Sequence, residues 1–232
     1  MRIILVPGFW LDASAWDAVA PVLRDAGHDV IALTLPGLES HDVDRSNIGF
    51  ADHVGAVVRA IDSTGGELVL VGHSGGGPIV HAAADARLER IARVIHVDTW
   101  PGTPGRCIND SMSVVNGEIP FPAWDEFDDE DLVDMDEAQR DSLRARAVPQ
   151  PAKVATDLQV LVNEARHDLP TTVIACEFPS IQLREWMADG AESLRELSEM
   201  RNVTYMDVPT GHWPMFTKPA ELSAAINAAV RA

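Results

Sequence analysis

Residues 67–78 read Glu-Leu-Val-Leu-Val-Gly-His-Ser-Gly-Gly-Gly-Pro. An apolar run of strand type ends in Gly72-His73-Ser74-Gly75-Gly76, a G-x-S-x-G pattern placed where a strand turns sharply into a helix. A serine hydroxyl is a poor nucleophile unless it is held out of the fold, near a base and near backbone donors. A sharp strand-to-helix turn does this if its neighbours are very small, a need that Gly72 and Gly76 meet. Pro78 is tolerated in the first turn of the following helix. A phosphate cradle fits less well. No Lys-Ser/Thr follows the glycines, and G-x-G-x-x-G is not completed after Gly77.

Such a serine requires a base. Of the eight histidines, His212 is the best placed, in Pro-Thr-Gly-His-Trp-Pro between the last strand and the final helix. His73, the serine's immediate neighbour, should point elsewhere. The base requires an orienting acid. Asp98 follows one strand and Glu177 another, and both preserve the order serine, acid, histidine. Asp98 is the first choice and Glu177 the alternative. Two backbone amides should hold an oxyanion: Gly75, at the start of the helix after the serine, and Phe9, in the loop after the first strand. Trp10, Trp100, Trp124 and Trp213 are candidates to line the substrate pocket, with Met215 as a weaker one.

The elements that must position these groups alternate along the chain. Strands are expected at Ile3–Val6, Asp29–Leu35, Leu68–Val71, Ala92–Val97, Thr171–Ala175 and Val203–Val208. Helices are expected at Asp12–Ala26, 49–62, from Ser74 to about Arg87, and around 183–199. Thr217 could cap a final helix with Pro219 in its first turn. The alternation predicts an α/β fold with a parallel sheet and helices on both faces, in three α/β/α layers. In such a sheet the loops at the strands' C-terminal ends share one edge, which brings Ser74 and His212 to the same rim.

Residues 101–169 break the rhythm and read as a helical cap insertion within a single domain spanning 1–232, with no convincing strand. Helices are expected at 130–147 and, after Pro149 and Pro151, through Val154, Leu158, Leu161 and Val162. Residues 125–137 carry nine acidic side chains. They lack the glycine and ligand spacing of a calcium loop and read as a solvated face.

The 232 residues are 46% apolar and 23% charged, enough to bury a sizeable core. A net charge of −18 argues against nucleic acid and anionic lipid as partners. The expected partner is a small ester-like molecule, and a homodimer stays open. Two cysteines, Cys107 and Cys176, give neither a disulfide framework nor a zinc spacing; reduced thiols in the cytoplasm are expected, with no metal or cofactor. The N-terminal apolar run breaks at Pro7 and reads as a core strand rather than a secretory signal.

Together, Val6-Pro7-Gly8-Phe9-Trp10, Ala32-Leu33-Thr34-Leu35-Pro36-Gly37, Gly72-His73-Ser74-Gly75-Gly76 and Gly211-His212-Trp213-Pro214 resemble the α/β-hydrolase superfamily over nearly the whole chain. The short chain and single helical insertion look like the methylesterase and hydroxynitrile lyase branch and its bacterial relatives. The resemblance implies six strands, since the chain begins at what would be the family's third. It also implies a nucleophile elbow at Ser74 and a cofactor-free serine esterase working through an acyl-enzyme on small apolar esters. The chain departs from the family twice. Pro7-Gly8 replaces the usual His-Gly, and Phe178 and Pro179 stand where the family usually carries its acid, which moves that role to Asp98. Two other functions share the scaffold: a lyase in which Ser74 and His212 only move protons, and a ligand-binding protein with little turnover.

Overall fold

The computed structural model describes residues 1–232. Strands β1 (Arg2–Val6), β2 (Asp29–Ala32), β3 (Leu68–His73) and β4 (Ile91–Val97) alternate with helices α1 (Ala20–Asp25), α2 (Phe50–Asp62) and α3 (Gly76–Ala86). An excursion follows, containing β5 (Glu118–Ile119), α4 (Glu137–Arg146), β6 (Gln150–Pro151) and α5 (Ala152–Thr156). The chain then completes the sheet with β7 (Thr171–Ala175), α6 (Ser180–Ala188), α7 (Arg195–Glu199), β8 (Val203–Asp207), α8 (Pro214–Thr217) and α9 (Pro219–Arg231). Six strands pair in parallel in the order β2-β1-β3-β4-β7-β8.

The strand sequences explain the two covered faces. Alternate side chains leave opposite sides of a strand, and a sheet buried on both faces needs apolar residues at every position. Ile4, Val6, Leu68 and Leu70 join Val57 and Ile61 of α2 and Ile79, Val80 and Ala83 of α3 in one core. Ile3, Leu5, Val69 and Val71 join Leu23 of α1 and Leu222 and Ile226 of α9 in the other. The strand order reverses between β1 and β3, so the loops after these two strands diverge and leave a crevice at their C-terminal ends.

Several elements are shorter than the sequence suggests, each for a local reason. The expected helix from Asp12 to Ala26 is a single 3-10 turn, Ala13–Trp16, followed by α1. Pro21 supplies no N–H and sits in the first turn of α1, restarting the helix there. Strand β2 ends at Ala32 rather than Leu35. The helix expected over 130–147 begins only at Glu137, where the Asp136 side chain accepts from Gln139 N at 2.8 Å and fixes its start.

The helix expected through Val162 stops at Thr156. Beyond it the chain is extended, because Gln159 N donates to Arg106 O at 2.9 Å and Gln159 O accepts from Gly105 N at 2.8 Å. Leu158, Val160 and Val162 are therefore exposed rather than forming a helical core face. Gly190, at φ +79°, splits the expected 183–199 helix into α6 and α7. Thr217 does not cap α9. Lys218 occupies the cap position, and the Thr217 hydroxyl lies 2.7 Å from that of Thr210. The excursion also holds a short antiparallel pair, β5 with β6, that the sequence reading missed.

Candidate active site

Ser74 stands at the end of β3 with φ +49°, a left-handed conformation that L-residues rarely adopt. Val97 O accepts its amide at 3.1 Å and Gly77 N donates to its carbonyl at 2.9 Å, fixing the turn from both sides. The turn is tight because α3 lies against β1. A Cβ on Gly72 would stand 2.5 Å from Gly76 O, and one on Gly76 would stand 2.6 Å from Pro7 O. A Cβ on Gly75 would collide with the Phe9 ring. Gly72 and Gly76 are therefore required by backbone approach, and Gly75 by the Phe9 ring.

His212 lies after β8, before α8. Its Nε2 is 2.8 Å from Ser74 Oγ and its Nδ1 is 2.7 Å from Asp98 Oδ2. With the Nδ1 proton donated to a carboxylate, Nε2 is left to accept from the serine hydroxyl. Asp98 follows β4, also at φ +49°, and is 4% exposed. Its other oxygen, Oδ1, accepts from the amides of Cys176 (2.9 Å) and Glu177 (3.0 Å). One oxygen is thus held by the backbone after β7 while the other faces the imidazole. Glu177 Oε2 stands farther from Nδ1, at 3.4 Å. Of the two acids, Asp98 therefore makes the direct hydrogen bond.

Burial disfavours the charged form of His212, but the Asp98 and Glu177 carboxylates beside the ring outweigh that and raise its pKa above the ordinary 6.5. Ring charge developing at His212 is therefore well accommodated. A third carboxylate is present that the sequence reading overlooked. Asp131 lies in the acidic run, which reads as a solvated face. The structure turns this residue inward to line the cavity beside Glu177. Burial first, and the Glu177 charge next, raise its pKa to about 6. No local pattern singles out this one aspartate among the nine acidic residues of the run.

The loop carrying His212 is tied on two sides. Gly211 N donates to Val133 O at 3.1 Å and His212 N to Asp131 O at 2.8 Å. From the other side, His73 donates from Nε2 to His212 O at 2.7 Å. The His73 ring is buried, and burial together with the His212 charge lowers its pKa to about 3, so it stays neutral. It supports the loop and does not reach the serine.

Phe9 and Gly75 line this crevice, and neither amide donates a hydrogen bond to the protein backbone. Trp10 also has a positive φ, +63°, and the excursion pins it: its indole N–H donates to Ile119 O at 3.0 Å and its carbonyl accepts from Val148 N at 2.9 Å. Residues that follow β1, β3, β4 and β7, together with the excursion, surround about 480 Å³ over Ser74 and His212. Trp10 and Trp100 line this cavity. Trp124 and Trp213 do not, which corrects the sequence expectation: Trp213 is buried, and both pack edge-on or tilted behind Phe127, whose ring takes the wall position. Met215 is likewise fully buried in the core. Asp98, Glu177 and His212 place ligand atoms close enough to gather around a cation. Here the Asp98 carboxylate is engaged with the His212 ring and with two backbone amides.

A family model described as the alpha/beta hydrolase family matches residues 3–225. "Probable hydrolase R7" of a Phoma species is 24% identical over 97% of this chain and 96% of its own. A carbendazim hydrolyzing esterase of a Nocardioides species is 28% identical, over 42% of this chain and 41% of its own. Among solved structures, an extracellular alpha/beta-hydrolase from a Paenibacillus species superposes with a TM-score of 0.79 at 19% identity. The alignment covers 99% of this chain and 98% of that one. That protein is described as sharing structural and functional homology with tobacco salicylic acid binding protein 2.

Proposed function

The chain belongs to the alpha/beta hydrolase family, and on that premise we propose that it is a cofactor-free serine carboxylesterase acting on small esters. The observation that carries this reading is the continuous relay from Ser74 Oγ through both ring nitrogens of His212 to Asp98, with contacts of 2.8 and 2.7 Å. Ser74 Oγ attacks the ester carbonyl as its proton passes to His212 Nε2. The resulting imidazolium is stabilised by Asp98 and, at longer range, by Glu177. The Phe9 and Gly75 amides receive the oxyanion. His212 returns the proton to the departing alkoxide, leaving an acyl-Ser74. Water then attacks this acyl group with His212 again as base, releasing the acid and restoring Ser74. The hydrolase and esterase named among the relatives support the reaction class. Two free cysteines, Cys107 and Cys176, support a reducing, cytoplasmic setting, and no helix is long and apolar enough to cross a membrane.

The test is turnover of p-nitrophenyl acetate and butyrate. Ser74→Ala should lower kcat by on the order of a thousandfold or more; unchanged turnover would end the nucleophile assignment. A lyase reading is favoured by one feature, the Asp131–Glu177 pair, which offers a second proton-carrying group beside the base. Intact-mass measurement during turnover separates the two. A substrate-derived acyl adduct on Ser74 supports the esterase, whereas cyanohydrin or carbon–carbon cleavage with no adduct supports the lyase.

A further inference from the structure

We propose that the wall of the cavity formed by the excursion is a recognition subsite for a neutral amide-like group, read by the Gln159 side-chain amide and the Thr103 hydroxyl. The proposal rests on the esterase reading only for the claim that the bound molecule is an ester. Both residues line the same cavity as Ser74 and His212. Both are buried, Gln159 at 3% and Thr103 at 4% exposure, and neither Gln159 Oε1 nor Thr103 Oγ1 has a hydrogen-bond partner in the protein. Buried polar atoms are nearly always paired, and an unpaired one is costly. A leucine would fill the Gln159 position without that cost.

The local backbone holds these groups in place. Gly105 N donates to Gln159 O at 2.8 Å, Gln159 N to Arg106 O at 2.9 Å, and Arg106 N to Thr103 O at 3.1 Å. The amide lies against the backbone of Gly102, where any added Cβ would collide with it. Gly102 therefore leaves room for a carboxamide there, and the turn at 103–106 fixes the backbone that carries both side chains.

The chemistry of the ligand follows from what is unpaired. A carboxamide offers an acceptor and N–H donors side by side, and a hydroxyl offers either. Their complement is a group with N–H and C=O adjacent. Charge on the other walls argues for neutrality. Asp98, Glu177 and Asp131 line the same cavity, so an anionic ligand meets repulsion and a cationic one is drawn towards the carboxylates instead of the amide. Apart from His212, Arg106, which is exposed, is the only basic residue of the lining. An ester bearing an amide-like group is thus a better fit than a wholly aliphatic one.

The test is a binding titration of the intact protein, followed by tryptophan fluorescence, since Trp10 and Trp100 line the cavity. The probes are N-butylacetamide and pentyl methyl ketone, which differ only in N–H against CH2. The unaltered protein should bind the amide at least as tightly as the ketone, despite the amide's stronger hydration. Gln159→Leu should shift the ratio of the two dissociation constants towards the ketone by about tenfold, and Thr103→Val by about threefold or more. An unchanged ratio in either variant, with its thermal transition intact, overturns the proposal. So does a preference of the unaltered protein for the ketone by more than about tenfold. That second criterion holds even if neither variant folds. Turnover of p-nitrophenyl acetate is measured separately. Amide selectivity without turnover defeats the esterase reading alone, and turnover without selectivity defeats the subsite alone.

Discussion

At the scale of single residues, the three carboxylates around His212 differ in what holds them. Asp98 takes two backbone amides on one oxygen and the imidazole on the other, so it orients the ring. Asp98→Asn should reduce kcat on p-nitrophenyl butyrate by about a thousandfold or more, because an amide at that position favours the wrong tautomer. Glu177 contributes mainly charge at 3.4 Å. Glu177→Gln should cost less than about tenfold in kcat and should move the acid limb of the pH–rate profile to lower pH. Removing a negative charge makes the imidazolium less favourable, so the neutral base persists further into acid. Asp131→Asn should act in the same direction for the same reason. Profiles of kcat/KM from pH 5 to 10 in the three variants would check both signs.

At the scale of elements, the strand-to-helix turn at Ser74 depends on absent side chains. Gly76→Ala would drive a Cβ into the carbonyls of Pro7 and Val6. It should destabilise the fold by several kcal/mol, about the range of severe backbone clashes, which a thermal or urea transition would detect. A second dependence lies where the excursion rejoins the sheet. Glu196, 1% exposed, accepts from Arg166 at 2.6 Å and pairs with His81 at 3.0 Å. These contacts outweigh the cost of burial and lower its pKa to about 2. Glu196→Gln would leave Arg166 buried with weakened compensation and should cost about 3–5 kcal/mol, measured by the same transition.

The regular βα units were legible from sequence because their signals are local: apolar runs for strands buried on both faces, spaced apolar residues for α2, and glycines at the turn. The gathering of Ser74, His212 and Asp98 on one rim was also legible, since Ser74 and Asp98 directly follow strands and His212 lies in the loop after another strand of the same sheet. The excursion was not. Its extended 157–163 stretch is set by pairing with Arg106 and Gly105, contacts distant in sequence. The inward turn of Asp131 likewise depends on the backbone of Gly211 and His212.

At the scale of the whole molecule, buried histidines tie stability to acidity. His53, with Nε2 donating to Pro36 O at 2.8 Å, has its pKa lowered to about 4, chiefly by burial. Burial also lowers His73 to about 3 and takes His96 well below 6.5. Because these folded values lie under the unfolded one of 6.5, each contributes stability that is full above pH 6.5 and is lost as pH falls towards the folded value. His212 has the opposite sign, contributing below 6.5 and losing that contribution as pH rises through its elevated value. The His212 contribution is already full below pH 6.5 and does not change there, so nothing from that ring offsets the loss from the three lowered ones. The melting temperature should therefore drop steeply between pH 6.5 and 4, and a flat profile there would contradict the burial of these rings.

The two hydrogen bonds from Gly211 and His212 to the backbone at Val133 and Asp131 constrain how such a protein can be remodelled. The covering segment also serves as the anchor of the base, so lifting it would unseat the imidazole. Chimeras that exchange the covering segment between relatives should keep residues 131–133 with the parent sheet. Grafts that replace them would turn over poorly whatever ligand their new walls admit.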